Sequence, residues 1–158
     1  MGTYPYLFAQ ANRSQRRGAA LVEFALIAVL FFTMLLGMIQ FGIYQSTTNT
    51  LWNLSREGAR YATIRSHPND DEVRKHVRDA APSSIDTSKL IIDVYPETAR
   101  TTGESVSVCL TYDMSSKMII PGIKELFNRT RTIPAQDPQP QKTITGYNYF
   151  TYSIMRVE

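Results

Sequence analysis

The pattern of apolar and polar positions is dominated by one long apolar run near the start of the chain. After Glu23 no Asp, Glu, Lys or Arg occurs until Arg56, a gap of 32 residues. About 20 apolar residues in a helix cross the hydrocarbon core of a bilayer. Helices of this length in soluble cores carry a polar stripe, and residues 24–39 have none. The pattern predicts a membrane-spanning helix over about residues 20–43, with one carboxylate near its start.

The helical pattern continues beyond this span. Small and apolar residues recur at spacings of three and four, as on one face of a helix, at Leu51, Leu54, Gly58, Ala59 and Ala62. Glu57 and Arg60 form a predicted i,i+3 pair on another face. The residue before a proline disfavours helical angles, so the helix should end before Pro68. We therefore expect one long helix over residues 19–65.

The remainder predicts a small mixed domain over residues 66–158. Asn69 is a predicted cap for a short amphipathic helix that Pro82 closes. Residues 89–95 are rich in β-branched side chains, and residues 105–112 alternate apolar and polar. These two segments predict an antiparallel pair, with residues 105–112 as a half-buried strand.

The last third of the chain is less regular. Residues 118–127 predict a loop with a short helix at 124–127. Residues 133–140 hold three prolines and predict an extended, exposed loop. Residues 143–157 predict a long strand, bent or bulged at Gly146. The predicted fold class is α+β, with a long N-terminal transmembrane helix extending into a small extracytoplasmic domain that has a short helix and an antiparallel β-sheet.

Charge is distributed unevenly along the chain and gives a topology signal. Residues 1–18 contain Arg13, Arg16 and Arg17 and no acid, whereas the rest has 14 basic and 14 acidic residues. No basic excess is left in the domain to neutralise phosphates, which argues against nucleic-acid binding. Positive residues beside a span stay in the cytoplasm, so residues 1–18 are an expected cytoplasmic leader and the domain should lie outside. The apolar run is longer than a secretory signal and lacks an Ala-x-Ala site, so it should be retained as an anchor.

Catalytic and metal-binding patterns are absent from the sequence. A single cysteine, Cys109, excludes an internal disulfide, and burial in a strand is its expected state. His67 and His76 lack metal-ligand spacing and are interpreted as solvated surface histidines. We therefore expect no enzyme activity, no cofactor and no metal.

Glu23 is the exception to this lack of chemistry. An ionised residue in an apolar helix costs several kcal/mol unless it is paired, which makes Glu23 a functional candidate. The alternative is that Glu23 lies one turn or two from Arg16 and Arg17 and snorkels to the interface without a role. The physics of the residue alone leaves both interpretations open.

Two strings of the chain resemble a known family. Gly18, four apolar residues, Glu23 and Phe24 resemble the processing site of type IV pilin-like precursors, and the arginines before Gly18 resemble their leaders. The string from Arg17 to Leu26 and the string Ser-Arg-Glu-Gly-Ala-Arg-Tyr-Ala at residues 55–62 are similar to the TadE-like family, pseudopilins of tight-adherence (Flp pilus) systems. The resemblance covers about residues 16–65. Type II secretion pseudopilins favour Phe directly after the cleaved bond, where this chain has Ala19.

The resemblance implies a function and a set of partners. A prepilin peptidase would cut between Gly18 and Ala19, and Glu23 and Phe24 would act in filament register and assembly. It also implies a type IV pilin-like helix, a bacterial inner-membrane location, and pilins and pilus assembly machinery as partners. The alternative that the sequence leaves open is a permanently anchored binding or adhesion module without processing.

Overall fold

The structure is a computed structural model that describes residues 7–64, 69–96, 103–119, 130–146 and 148–157, with side chains described from Gly18 onward except that of Arg131. The chain divides into two compact units, residues 1–39 and residues 40–158. The division falls inside the long helix, so the second half of that helix belongs to the same unit as the β-rich part.

Helix α1, Leu7–Ile64, is longer than predicted. It ends before Pro68, as expected, but it begins 12 residues before Ala19. The expected leader, residues 1–18, is therefore helical from Leu7 on. Residues 7–17 contain neither Pro nor Gly, and the cost of Gly18 in a helix is only about 1 kcal/mol. Nothing in the local sequence stops the helix between Leu7 and the apolar run.

After Glu23, the part of α1 in the first unit is apolar on all sides, and none of its side chains is buried. The part from Gly18 is long and apolar enough to cross a membrane, with a mean hydropathy of 2.5 over its most apolar window, none of which is buried. Leu21, Phe24, Leu30 and Phe41, the last at the start of the second unit, are among its exposed large side chains. This segment is the candidate membrane span.

The second unit is built on a three-stranded antiparallel sheet. Helix α2, Asp70–Asp79, precedes strands β1, Leu90–Tyr95, and β2, Ser105–Asp113. Strands β3, Arg131–Ile133, and β4, Lys142–Ile144, form a separate two-stranded sheet. Strand β5, Asn148–Arg156, is next to β2, which gives the order β1-β2-β5. The predicted pairing of β1 with β2 is confirmed, with Ile92 opposite Leu110.

One face of this sheet packs on the two helices. The buried core combines α1, α2 and sheet side chains, and its fully buried members include Leu51, Ala59, Val73, Val77, Val108, Leu110 and Tyr112. Asn69 occupies the N-cap of α2, as predicted, but its side chain makes no capping hydrogen bond. Its carbonyl accepts from Glu72 N at 2.9 Å instead.

The prediction that residues 105–112 form a half-buried strand is wrong, because both faces of β2 are buried. Ser107 and Cys109 lie on the face away from the helices, and both are fully buried. Lys142 of β4 forms an ion pair with Asp93 of β1 and lies 5.9 Å from the Phe150 ring of β5. The β3–β4 hairpin therefore reaches across β2 and covers this second face.

The hairpin also corrects the prediction for residues 133–140. This segment is not an extended loop. It closes a tight turn in which Gln136 N donates to Gln139 O at 2.9 Å, and the Gln139 side chain is buried. The single strand predicted over residues 143–157 is divided into β4 and β5 at Gly146, whose φ of +88° is a conformation that side chains disfavour. The short helix predicted at 124–127 lies outside the described residues.

Gln40, the first residue of the second unit, holds the segment that follows β2. Its side-chain Nε2 donates to Lys117 O at 3.2 Å, and its Oε1 accepts from Ile119 N at 2.8 Å. The predicted loop over residues 118–127 is thus fixed to α1 at its start.

Candidate assembly site on the long helix

The predicted processing bond lies inside the continuous part of α1. Gly18 and Ala19 are exposed helical residues, and no atom outside the local helix lies within 4 Å of the position of a Cβ on Gly18. Arg13, Arg16 and Arg17 lie on the first turns of α1, and their side chains are outside the described part of the chain.

Glu23 is an exposed carboxylate at the beginning of the apolar surface. Among the residues whose side chains are described, none forms an ion pair or a hydrogen bond with it. Phe24 beside it is 70 % exposed. The helix thus presents one acidic group and a continuous apolar surface, both available to neighbouring helices or to lipid.

The second of the two strings that resemble the family, residues 55–62, is a packing site. A Cβ on Gly58 would lie 2.6 Å from Val77 Cγ2 and 3.1 Å from Val108 Cγ1. Only a glycine lets α1 approach both α2 and the central strand β2 so closely. Ser55 is fully buried and donates its hydroxyl to Trp52 O at 2.9 Å, which avoids an unsatisfied polar group in the core.

A small charged cluster surrounds this packing site. Arg60 donates two hydrogen bonds to the Glu57 carboxylate, from Nε to Oε2 and from Nη2 to Oε1, each at 3.1 Å. His76 Nε2 of α2 lies 3.4 Å from Glu57 Oε1, and the His76 ring stacks on Tyr61 at 4.0 Å with an interplanar angle of 10°. The hydrogen bonds from Arg60, and next the contact with His76, hold the pKa of the Glu57 carboxyl below its usual value.

His76 lies at the surface, as expected, but it is not simply solvated. Its side chain is 33 % exposed and is held between Glu57 and Tyr61. The sequence partly indicated that His76 is shielded. Val73 and Val77 predict which face of α2 is buried, and His76 adjoins that face. Its partners on α1 could not be found, because they depend on how the two helices pack. His67 lies outside the described residues.

The remaining candidate groups do not form a reactive site. Cys109 is buried, as expected, with its Sγ 3.4 Å from Ser107 Oγ, and burial raises the pKa of its thiol. No cluster of His, Cys, Asp and Glu within the described residues could hold a metal ion. A thiol kept neutral in the core is a packing group.

Comparisons with known proteins agree with the two strings on α1. The family model of TadE-like proteins matches residues 18–60, from the glycine of the first string to the arginine near the end of the second. No curated protein and no solved structure matches the chain significantly. The match covers the candidate membrane span and most of the part of α1 that packs on the sheet, residues 40–64. The β-rich part of the chain is not matched. Over residues 18–60 the chain is similar to TadE-like proteins, a family associated with tight-adherence pili.

Proposed function

We propose that this protein is a pseudopilin or minor pilin that acts in the assembly of a tight-adherence pilus. The observation that carries the proposal is the TadE-like match over residues 18–60, which begins at the glycine of the predicted processing site. The exposed apolar surface of α1 supports it, because such a surface needs lipid or other apolar helices around it.

The first step of the proposed mechanism is removal of the leader. A prepilin peptidase cuts between Gly18 and Ala19 on the cytoplasmic side of the bacterial inner membrane, and residues 1–18 are lost. The arginines at positions 13, 16 and 17 support this orientation, because basic residues beside a span remain in the cytoplasm. The cut creates a positive amine on Ala19 at the beginning of the apolar surface.

The second step uses Glu23. In the proposed assembly its carboxylate pairs with the new amine of a neighbouring subunit, within an apolar environment. Coulombic attraction is strong in a low dielectric, but desolvation of both charges offsets most of it. The pair therefore fixes the axial register of helices more than it strengthens their association. The exposure of Glu23, without a partner among the described side chains, supports this role.

The N-terminal residue of the mature protein tests the processing step. In cells with an active prepilin peptidase, mass spectrometry should find Ala19 as the first residue. Gly18→Val should leave the precursor intact, because the peptidase recognises the glycine before the cut. Gly37→Ala is a matched control in the same helix and should be processed normally, since nothing lies within 4 Å of a Cβ there. An intact leader in the parent protein would contradict the proposal and favour the permanently anchored module.

The role of Glu23 is tested separately from processing. Glu23→Ala removes the carboxylate, so the processed protein should appear at normal levels but should not be recruited into pilus assemblies. Piliation scored by electron microscopy should fall at least tenfold. Glu23→Gln keeps the size of the side chain without its charge and should fail equally, because the proposed pair needs the charge. Normal piliation in both variants would exclude the register role.

A further inference from the structure

Gln40 is a polar residue inside the predicted membrane span. The span ends at about residue 43, and a polar run, Gln-Ser-Thr-Thr-Asn-Thr, begins at Gln45. At about 1.5 Å per residue, the Cα atom of Gln40 lies about 5 Å inside that end. The side chain of a helical residue leans toward the N-terminus of its helix, which here is the deeper direction. The Gln40 amide therefore lies at the depth of the lipid hydrocarbon.

The segment after β2 reaches the same depth through its backbone. Lys117 O accepts a hydrogen bond from Gln40 Nε2 at 3.2 Å, and Ile119 N donates to Gln40 Oε1 at 2.8 Å. Backbone groups in hydrocarbon have no water to bond and must find a partner in the protein. One amide thus satisfies two backbone groups and is itself satisfied by them. The Lys117 ammonium donates to Ser84 O, so a polar group of the domain holds its charge.

The Ile119 side chain is apolar and 58 % exposed at this level of α1, where Phe41, next to Gln40, is also exposed. Ile91 of β1 is exposed to the same extent, at 57 %, but its surroundings differ. It lines a groove together with three charged side chains, those of Asp71, Lys75 and Arg78. Ile91 therefore lies among groups that need water, whereas Ile119 lies beside the predicted span.

The tyrosines next along α1 fit the same membrane position. Tyr44 lies one turn after Gln40, and its ring packs edge-on against the Tyr149 ring with the centroids 6.1 Å apart. Tyrosine is enriched at the boundary between hydrocarbon and water. The order along α1 is therefore apolar Ile119 at the level of Gln40, then two tyrosines, then the polar run. This is the order expected on leaving a bilayer.

We propose that the Ile119 side chain inserts into the lipid leaflet on the side of the domain, beside residues 40–43 of α1. The occupant of this surface is lipid, because Gln40, which fixes the position of Ile119, belongs to the predicted span. The insertion gives the β-rich part a contact with the membrane in addition to α1. It also selects a direction of tilt, because a lone helix can lean to any side, whereas an inserted segment favours the lean toward itself.

Fluorescence quenching by brominated lipid tests the insertion in the full-length chain. Trp52→Phe removes the single tryptophan, and Ile119→Trp or Ile91→Trp then places a reporter at one of the two exposed isoleucines. The tether to Gln40 uses the backbone N–H of Ile119, so the substitution preserves it. In nanodiscs that hold one chain, phosphatidylcholine brominated at acyl carbons 6 and 7 should lower the emission of Ile119→Trp at least threefold. The emission of Ile91→Trp, the matched control, should not change.

The depth of the reporter gives a second measurement. Bromine at carbons 11 and 12, nearer the bilayer centre, should quench Ile119→Trp less, because Ile119 lies only about 5 Å inside the hydrocarbon. Equal quenching of the two tryptophan variants, or none in either, would overturn the proposal. A blue shift of Ile119→Trp that occurs only in vesicles with many chains would assign the surface to a second copy and would also overturn it.

The tether is tested by a pair of glutamine variants in the Ile119→Trp chain. Gln40→Leu removes both hydrogen bonds to the segment, so quenching should fall by at least half. Gln45→Leu is the control, because Gln45 bonds to Asn49 on the same helix instead. Equal quenching in these two variants would contradict the depth assigned through Gln40. None of these results bears on leader processing, because that proposal depends on residues 18–24.

Discussion

The two halves of α1 have the same backbone and opposite surroundings. Residues 18–39 are apolar on all sides and exposed, with Leu30 at 73 % exposure. Residues 40–64 carry an apolar stripe that is buried against α2 and the sheet, with Leu51 at 0 % exposure. A helix apolar all round requires an apolar surrounding, whereas a striped helix makes its own core with neighbouring elements. The apolar surface of the first half must be covered by something outside the chain, whereas the apolar stripe of the second half is covered by α2 and the sheet.

A leucine-to-alanine substitution in each half should show this difference most strongly. Leu51→Ala removes a fully buried side chain, so the free energy of unfolding of the second unit should fall by about 2–5 kcal/mol. Leu30→Ala, its matched partner, should change that free energy by less than about 0.5 kcal/mol, because no core surrounds it. Urea unfolding in micelles, followed by near-ultraviolet circular dichroism, measures both. A similar loss in the two variants would mean that the halves are not energetically distinct.

Within residues 40–64 of α1, two glycines can be compared by the effect of an added methyl group on the free energy of unfolding. Gly58→Ala puts a methyl group 2.6 Å from Val77 Cγ2, so α2 or β2 must shift, at a cost of about 1–3 kcal/mol. Gly42→Ala meets no atom within 4 Å and should stabilise the helix by about 0.5–1 kcal/mol. The same unfolding experiment should give opposite signs for the two. Stabilisation by Gly58→Ala would show that α1 does not approach Val77 this closely.

The smallest predicted effect concerns the charged cluster at Glu57. A carboxyl with a lowered pKa contributes stability that is complete above its usual value near 4.5 and is lost as the pH falls through the lowered value. Glu57→Gln should therefore destabilise the second unit at neutral pH by less than about 1 kcal/mol, as for partly exposed ion pairs. The difference between the parent and this variant should narrow below pH 4.5.

His76→Phe is a useful companion to Glu57→Gln. It preserves the stacking on Tyr61 and removes the nitrogen beside Glu57. If the pH dependence of stability is the same in the parent, Glu57→Gln and His76→Phe, the lowered pKa of Glu57 has no consequence for folding.

Where the sequence predicted the structure well, the determining interactions were local. The span, the end of α1 before Pro68, helix α2 and the β1–β2 pair follow from periodicity and prolines. The strings around Gly18 and Gly58 identified the family segment, since short strings carry that information without the fold.

The failures have a common physical cause, which is contact between distant parts of the chain. Strand β2 alternates in sequence, yet a hairpin that begins 18 residues after the end of β2 covers its polar face. The three prolines near Gln139 suggested an extended loop, but a turn between two short strands accommodates them. The partners of His76 depend on the packing of α2 against α1. Such contacts leave no periodic signal in any one segment.

The two hydrogen bonds of Gln40 have a consequence for sequence variation. One amide group both donates to Lys117 O and accepts from Ile119 N, at the first residue of the second unit. Glutamate could only accept, methionine could do neither, and asparagine is shorter by one methylene. In a saturation library at position 40, selected for folded protein, glutamine should therefore be recovered far more often than any of these three. Gln40 lies near the end of the predicted span of residues 20–43, where most positions should exchange apolar residues freely, yet we expect this position to keep one polar side chain.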